Sequence, residues 1–168
     1  MEIVRNHCLL CEDAHGFKFF QKVVQRLKEA GIIPESINVK EKKHTNGMIN
    51  PRNPKVRRVI AAMLSNKSCD KVIVLLDADG RGAEKVEKEF REKQRLKSGK
   101  VVVVVFETEV EEWITASLGV NERDPSTYLK EHYGYRKSEL PSKAEGLDLK
   151  QLSGVASFER FVEALKDP

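Results

Sequence analysis

Glu12, Asp77 and Asp79 are the residues of this chain best placed to do chemistry, because each follows an apolar run that ends abruptly in acid. Glu12-Asp13 follow the run from Ile3 to Cys11, Asp77-Ala78-Asp79-Gly80 follow Lys71 to Leu76, and Glu107, Glu109, Glu111 and Glu112 follow Val101 to Phe106. Gathered carboxylates repel one another and lose hydration, so a compact group is stable chiefly when a cation compensates it. Hard divalent ions such as Mg2+ or Mn2+ take oxygen ligands and bridge carboxylates to substrate phosphates. In a continuing strand the Asp77 and Asp79 carboxylates would face one side, and at a strand end both would reach one ion. Gly80 and Gly82 leave the turn beyond them room for close approach. An acid after a strand also caps the next helix, so one acid alone carries little. Three strand ends that finish in acid carry more.

The elements that must position these acids are legible as a parallel α/β pattern. Ile3 to Cys11, Lys71 to Leu76 and Val101 to Phe106 read as buried strands, and a short strand is expected around Ile37 to Val39. Phe17, Phe20, Val23, Val24 and Leu27 recur at helical spacing, as do Val56, Val59, Ile60, Met63 and Leu64. Ala83 to Lys97 reads as a charged helix covering one face, and a further helix is expected to begin within Glu107 to Ile114. Beyond Leu118-Gly119 the apolar content thins, Pro125 and Pro141 interrupt, and a last helix starts near Ser157. The expected architecture is a mostly parallel four-stranded sheet flanked by helices over residues 1–120, with a small helical extension over 121–168 packed on it. In such sheets ligands sit outside the carboxyl ends of the strands, where the three acidic turns would lie along one rim.

A chain of 168 residues, 40% hydrophobic and 33% charged, has the size of one compact domain with a real core. No apolar run is long enough to span a bilayer and the N-terminus has no signal-peptide layout, so a cytoplasmic protein is expected. Three cysteines, Cys8, Cys11 and Cys69, make no small-scaffold framework and are expected to be free thiols. Cys8 and Cys11 have zinc-knuckle spacing, but the remaining donors are scattered, and two small apolar residues in a buried strand is the better reading. His7, His15, His44 and His132 have no nucleophilic-triad context. Abundant Lys, Arg and Glu hint at a thermophilic source.

The net charge of +4 permits a polyanionic partner, and its distribution says more. Lys40, Lys42, Lys43, Arg52, Lys55, Arg57 and Arg58 face only Glu41 along one stretch, while the glutamates gather at 107–112. Lys42, Lys43, Arg57 and Arg58 are the candidates for contacting nucleic-acid phosphates.

The order and spacing of these motifs resemble the Toprim family, the small parallel α/β domain of primases, type IA and type II topoisomerases, RecR-like repair proteins and OLD-family nucleases. Glu12 matches the family's glutamate after the first strand, and Asp77-Ala78-Asp79 its Asp-x-Asp after a later strand; the likeness spans roughly residues 1–118. Glu111-Glu112-Trp113 is similar to the acidic Glu-x-Trp segment of the group related to OLD nucleases. Many Toprim proteins carry glycine after the first glutamate, where this chain has Asp13. The resemblance implies that the aspartates hold magnesium and that Glu12 shares the ion or moves a proton. Haloacid-dehalogenase phosphatases share an Asp-x-Asp, but theirs lies near the start of the chain and does not continue with Arg81.

The expected function is Mg2+- or Mn2+-dependent phosphodiester chemistry on nucleic acid, nuclease-like, with Glu12, Asp77 and Asp79 catalytic and Glu111 as a further metal ligand. A non-catalytic metal- or nucleic-acid-binding module acting with a protein partner is the alternative.

Overall fold

The computed structural model describes residues 3–41, 43–44, 47–66 and 69–167. Four parallel strands form one sheet: β1 (Arg5–Leu10), β2 (Ile37–Glu41), β5 (Lys71–Asp77) and β6 (Val101–Phe106), in the spatial order β2-β1-β5-β6. A two-stranded antiparallel ladder, β3 (Lys43–His44) with β4 (Gly47–Met48), lies in the basic stretch between Lys40 and Arg58. β5 carries apolar residues on both faces because both faces are covered, the signature of a central parallel strand.

One face is packed by α1 (Ala14–Glu29), by α4 (Glu112–Ser117) and by the C-terminal helices α5 (Pro125–Tyr133), α6 (Leu140–Lys143), α7 (Leu149–Leu152) and α8 (Ala156–Lys166). The other is packed by α2 (Val56–Ser65) and α3 (Ala83–Lys93). Trp113 is wholly buried at the centre of the first layer, with its ring centroid 5.2 to 6.0 Å from those of Phe19, Phe20, Phe106, Phe158 and Phe161. This cluster joins α1, β6, α4 and α8, and burial of each ring is worth about 1.5–3 kcal/mol. The residues beyond 120 therefore share the core of the sheet domain.

The strand order creates a switch point. From β1 the chain passes through α1 to β2 on one side, then returns past β1 through α2 on the opposite face to reach β5 on the other side. The crevice between the carboxyl ends of β1 and β5 is where such sheets take ligands.

Several local readings shift. α3 ends at Lys93 rather than Lys97, and Arg95 in the left-handed region (φ 51°) turns the chain away. α4 starts at Glu112, inside the expected stretch, after a turn through 107–111. Pro125, read as an interruption, opens α5, because proline lacks only a donor that the first turn leaves unused.

The expectation of three free thiols is corrected. Cys8 and Cys69 form a disulfide, with Cα atoms 5.6 Å apart although 61 positions separate them in sequence. β1 and the segment entering β5 are spatial neighbours, which spacing along the chain does not reveal, and the bond removes the support that free thiols lent to a reducing compartment. Cys11 is free and buried. Cys8 and Cys11 belong to the cores on opposite faces of the sheet, so the pair does not converge on an ion. Among the described residues no helix is long and apolar enough to cross a membrane.

Candidate acidic site at the switch point

Glu12 and Asp77 flank the crevice because each stands at the end of one of its two strands. β1 pairs with β5 up to Leu10 opposite Val74, so Glu12 and Asp77 emerge side by side at the carboxyl rim. Strand alternation puts Asp77 on the face of Ile73 and Leu75, toward α1. Asp13 is the N-cap of α1, its Oδ1 accepting from the Gly16 N–H at 2.7 Å, which accounts for an acid at this position. Glu12, Asp13, Asp77 and Lys137 line a narrow cleft of about 20 Å³, space for one water-sized occupant.

Asp79 is placed differently. The chain leaves β5 through a tight turn in which the Asp79 N–H donates to Thr108 O (2.8 Å) and the Gly80 N–H to Glu107 O (2.9 Å). Asp79 takes φ 51°, which a short polar side chain tolerates, and Gly80 takes φ 78°, which favours glycine. The turn breaks strand alternation and leaves Asp79 exposed at the rim.

The glutamates after β6 divide by role. Glu111 is buried and bonded at 2.7 Å to the Nζ of Lys137, which lines the cleft. Glu112 accepts from the Thr108 N–H and hydroxyl at 3.0 and 3.2 Å and from the Ser157 hydroxyl at 3.1 Å, while Ser157 in turn accepts from Trp113 Nε1 at 2.9 Å. Glu109 accepts from the Ser126 N–H at 2.7 Å, at the start of α5. Glu107 is exposed and lines a groove of about 650 Å³ between α3 and α8.

Two cations reach into this rim. Arg52 Nε donates to Glu12 Oε1 at 2.7 Å, and its Nη2 to the Asp77 carbonyl oxygen at 2.8 Å. Its position is fixed locally: Asn50 Oδ1 accepts from the Arg52 N–H at 2.8 Å, and Asn50 Nδ2 donates to the Glu12 carbonyl at 3.3 Å. Lys137, from the C-terminal extension, contacts Glu111 and stands 4.0 Å from Asp13.

The charges are unevenly compensated. Burial and the neighbouring Glu12 push the Asp77 carboxyl up to about 8, Glu111 and Asp79 adding to the rise and Lys137 opposing it. Burial alone would lower the Lys137 ammonium, but Glu111, Asp13 and Asp77 outweigh it and hold it above its ordinary value. Burial also raises the Glu111 carboxyl, and Lys137 pulls it back. Tyr135, whose buried hydroxyl has no hydrogen-bond partner among the described residues, is raised by burial and by Glu111.

The donor set itself, carboxylate oxygens with a shortage of positive charge, suits a hard divalent cation. Its present arrangement is not a finished cage: among the described residues no three His, Cys, Asp or Glu side chains are gathered to hold a metal ion. Glu12 is engaged by Arg52, Glu111 by Lys137, and Asp79 faces solvent.

Of the residues expected to meet phosphates, Arg57 and Arg58 are exposed in the first turn of α2, Lys43 lies in β3, and Lys42 falls outside the described residues. Sequence reasoning missed the site roles of Arg52 and Lys137. The Asn50-Pro51-Arg52-Asn53-Pro54 turn was the available signal for the first; nothing local marks the second. No family model, curated protein or solved structure matches the chain.

Proposed function

We propose that this chain, a Toprim-like domain, performs Mg2+- or Mn2+-dependent phosphodiester chemistry on nucleic acid, nuclease-like, at Glu12, Asp77, Asp79 and Glu111. The observation that carries the proposal is the meeting of Glu12 and Asp77 at the switch point, with the Asp77 carboxyl driven up to about 8 by burial and its acidic neighbours. Asp77, with Asp79 and Glu111, would hold the ion. When bound, it would stabilise the negative charge that develops at phosphorus.

The chain's own residues do the rest. Glu12, released from Arg52, takes a proton from the attacking water. Asn50 holds the Glu12 backbone in place, and Lys137 opposes the rise that burial imposes on the Glu111 carboxyl. Lys42, Lys43, Arg57 and Arg58 supply sequence-independent phosphate contacts. We place this activity in the cytoplasm, where hyperthermophile proteins also carry disulfides.

A second reading is favoured by Arg52 and Lys137, which already supply counter-charge to the acids: a non-catalytic binding module that works with a protein partner. Calorimetry of Mn2+ and Mg2+ on the protein and on Asp77→Ala/Asp79→Ala, followed by cleavage assays on single- and double-stranded DNA and RNA, separates the two. Metal-dependent cleavage lost in the variant supports the nuclease. Binding without cleavage supports the module, and no metal binding sinks the metal-dependent reading.

A further inference from the structure

Arg52 forms part of two walls. On one side its guanidinium holds Glu12 and the Asp77 carbonyl; on the other it lines a separate recess of about 220 Å³ between the 49–55 turn and α3. Leu76, Val86 and Phe90 contribute apolar surface to that recess, and its charged residues are Arg52, Arg81, Lys93 and Glu89. Three cations thus meet one carboxylate in a confined space. The groove beside β6, by contrast, sets Glu84, Glu87, Glu92 and Glu107 against Lys88, Arg91 and Arg160.

Arg81 is held there by two independent contacts. Its N–H donates to the Ala78 carbonyl at 2.9 Å, closing the turn that carries Asp79, and its Nη2 meets Glu89 at 3.1 Å on α3. The same turn therefore sets the Asp-x-Asp acids and a guanidinium at a fixed spacing. Gln94, only 2% exposed, adds a buried polar side chain to the lining. Arginine presents five N–H donors in a planar fork that suits phosphate oxygens, and two of those of Arg52 make the contacts to Glu12 and Asp77.

We infer that the recess lined by Arg52, Arg81 and Lys93 is a subsite for a backbone phosphate of a nucleic-acid strand, joined to the Glu12–Asp77 cleft by Arg52. The inference rests on the nucleic-acid reading proposed above and names the residues that seat the strand beside the acids. A phosphate in the recess gives Arg52 a second anionic partner. Occupation of the subsite therefore loosens its hold on Glu12, the carboxylate that the proposed chemistry needs free.

The test is fluorescence anisotropy of a short fluorescein-labelled single strand of DNA, titrated in EDTA over a range of salt, so that no metal site enters the result. Arg81→Gln/Lys93→Gln is expected to weaken binding about tenfold and to flatten the slope of log K against log salt by about 0.7 per lost contact. The charge reversal Lys93→Glu should weaken it further. Circular dichroism checks that each variant is folded. Lys130→Gln/Lys150→Gln, which removes two exposed cations of the C-terminal helices, should change affinity less than about twofold. An unchanged affinity and slope in Arg81→Gln/Lys93→Gln overturns the subsite, as does an equal loss in the C-terminal variant or no binding of the strand by the unaltered protein. Failure of the metal-dependent reading shows separately, as absence of Mn2+ binding with strand binding intact.

Discussion

The Nε of Arg52 meets Glu12 Oε1 at 2.7 Å, so the acid at the end of β1 is held by a cation from the turn before α2. Both side chains are partly exposed, 46% and 29%, which limits such a pair to roughly 0–1 kcal/mol. A divalent ion that recruits Glu12 must break this contact. Arg52→Gln is therefore expected to bind Mn2+ up to about fivefold more tightly than the unaltered protein, since 1 kcal/mol is a factor of about five. Calorimetry reads this directly. An unchanged or weaker affinity in the variant would mean that Arg52 and the metal do not compete for Glu12.

Asp77 makes stability in EDTA fall as pH rises. Its folded carboxyl titrates near 8, above its ordinary value of 3.8, so between these limits the folded protein keeps a proton that the unfolded chain has lost. Stability is full below the unfolded value and drains away as pH climbs to about 8. Asp77→Asn cannot ionise and escapes this loss. Its melting temperature should exceed that of the unaltered protein by a margin that grows from pH 5 to pH 8. A margin independent of pH would refute the buried, repelled state of Asp77.

The fold was legible because its strongest signals are local. Val101 to Phe106 and Lys71 to Leu76 are β-branched runs with hard acidic stops, and both became strands at nearly those bounds. The rim position of Glu12 and Asp77 followed from parallel order alone. The ion-pair partners did not follow. Arg52 reaches Glu12 across 40 positions and Lys137 reaches Glu111 across 26, and neither contact leaves a periodic trace in the chain. Asp79 differs for another reason: its left-handed backbone is a single dihedral choice that overrides strand alternation. The Cys8–Cys69 bond depends on which loop passes behind β1, which only the folded topology decides.

Lys137 holds Glu111 in a setting where the glutamate side chain is 1% exposed and the lysine side chain 42%. Removing the lysine leaves a buried carboxyl without its hydrogen-bond partner. Lys137→Met should cost about 1–3 kcal/mol in chemical denaturation, and Glu111→Gln in the same background should restore most of it. The recovery distinguishes the ion pair from simple loss of packing by the lysine stem, because packing would not return with the second change.

Thiol counting tests the corrected cysteine state. Denatured without reductant, the protein should take up one equivalent of iodoacetamide, at Cys11; after reduction it should take up three. Mass spectrometry reads both numbers. In the chain-entropy account the bond restricts an unfolded loop of 61 positions, so reduction should lower the denaturation midpoint by an amount corresponding to roughly 4 kcal/mol. Three labelled thiols before reduction would return Cys8 and Cys69 to the free state and restore the case for a reducing compartment. One thiol with no change in midpoint would instead show that β1 and the segment entering β5 are held together by the sheet alone.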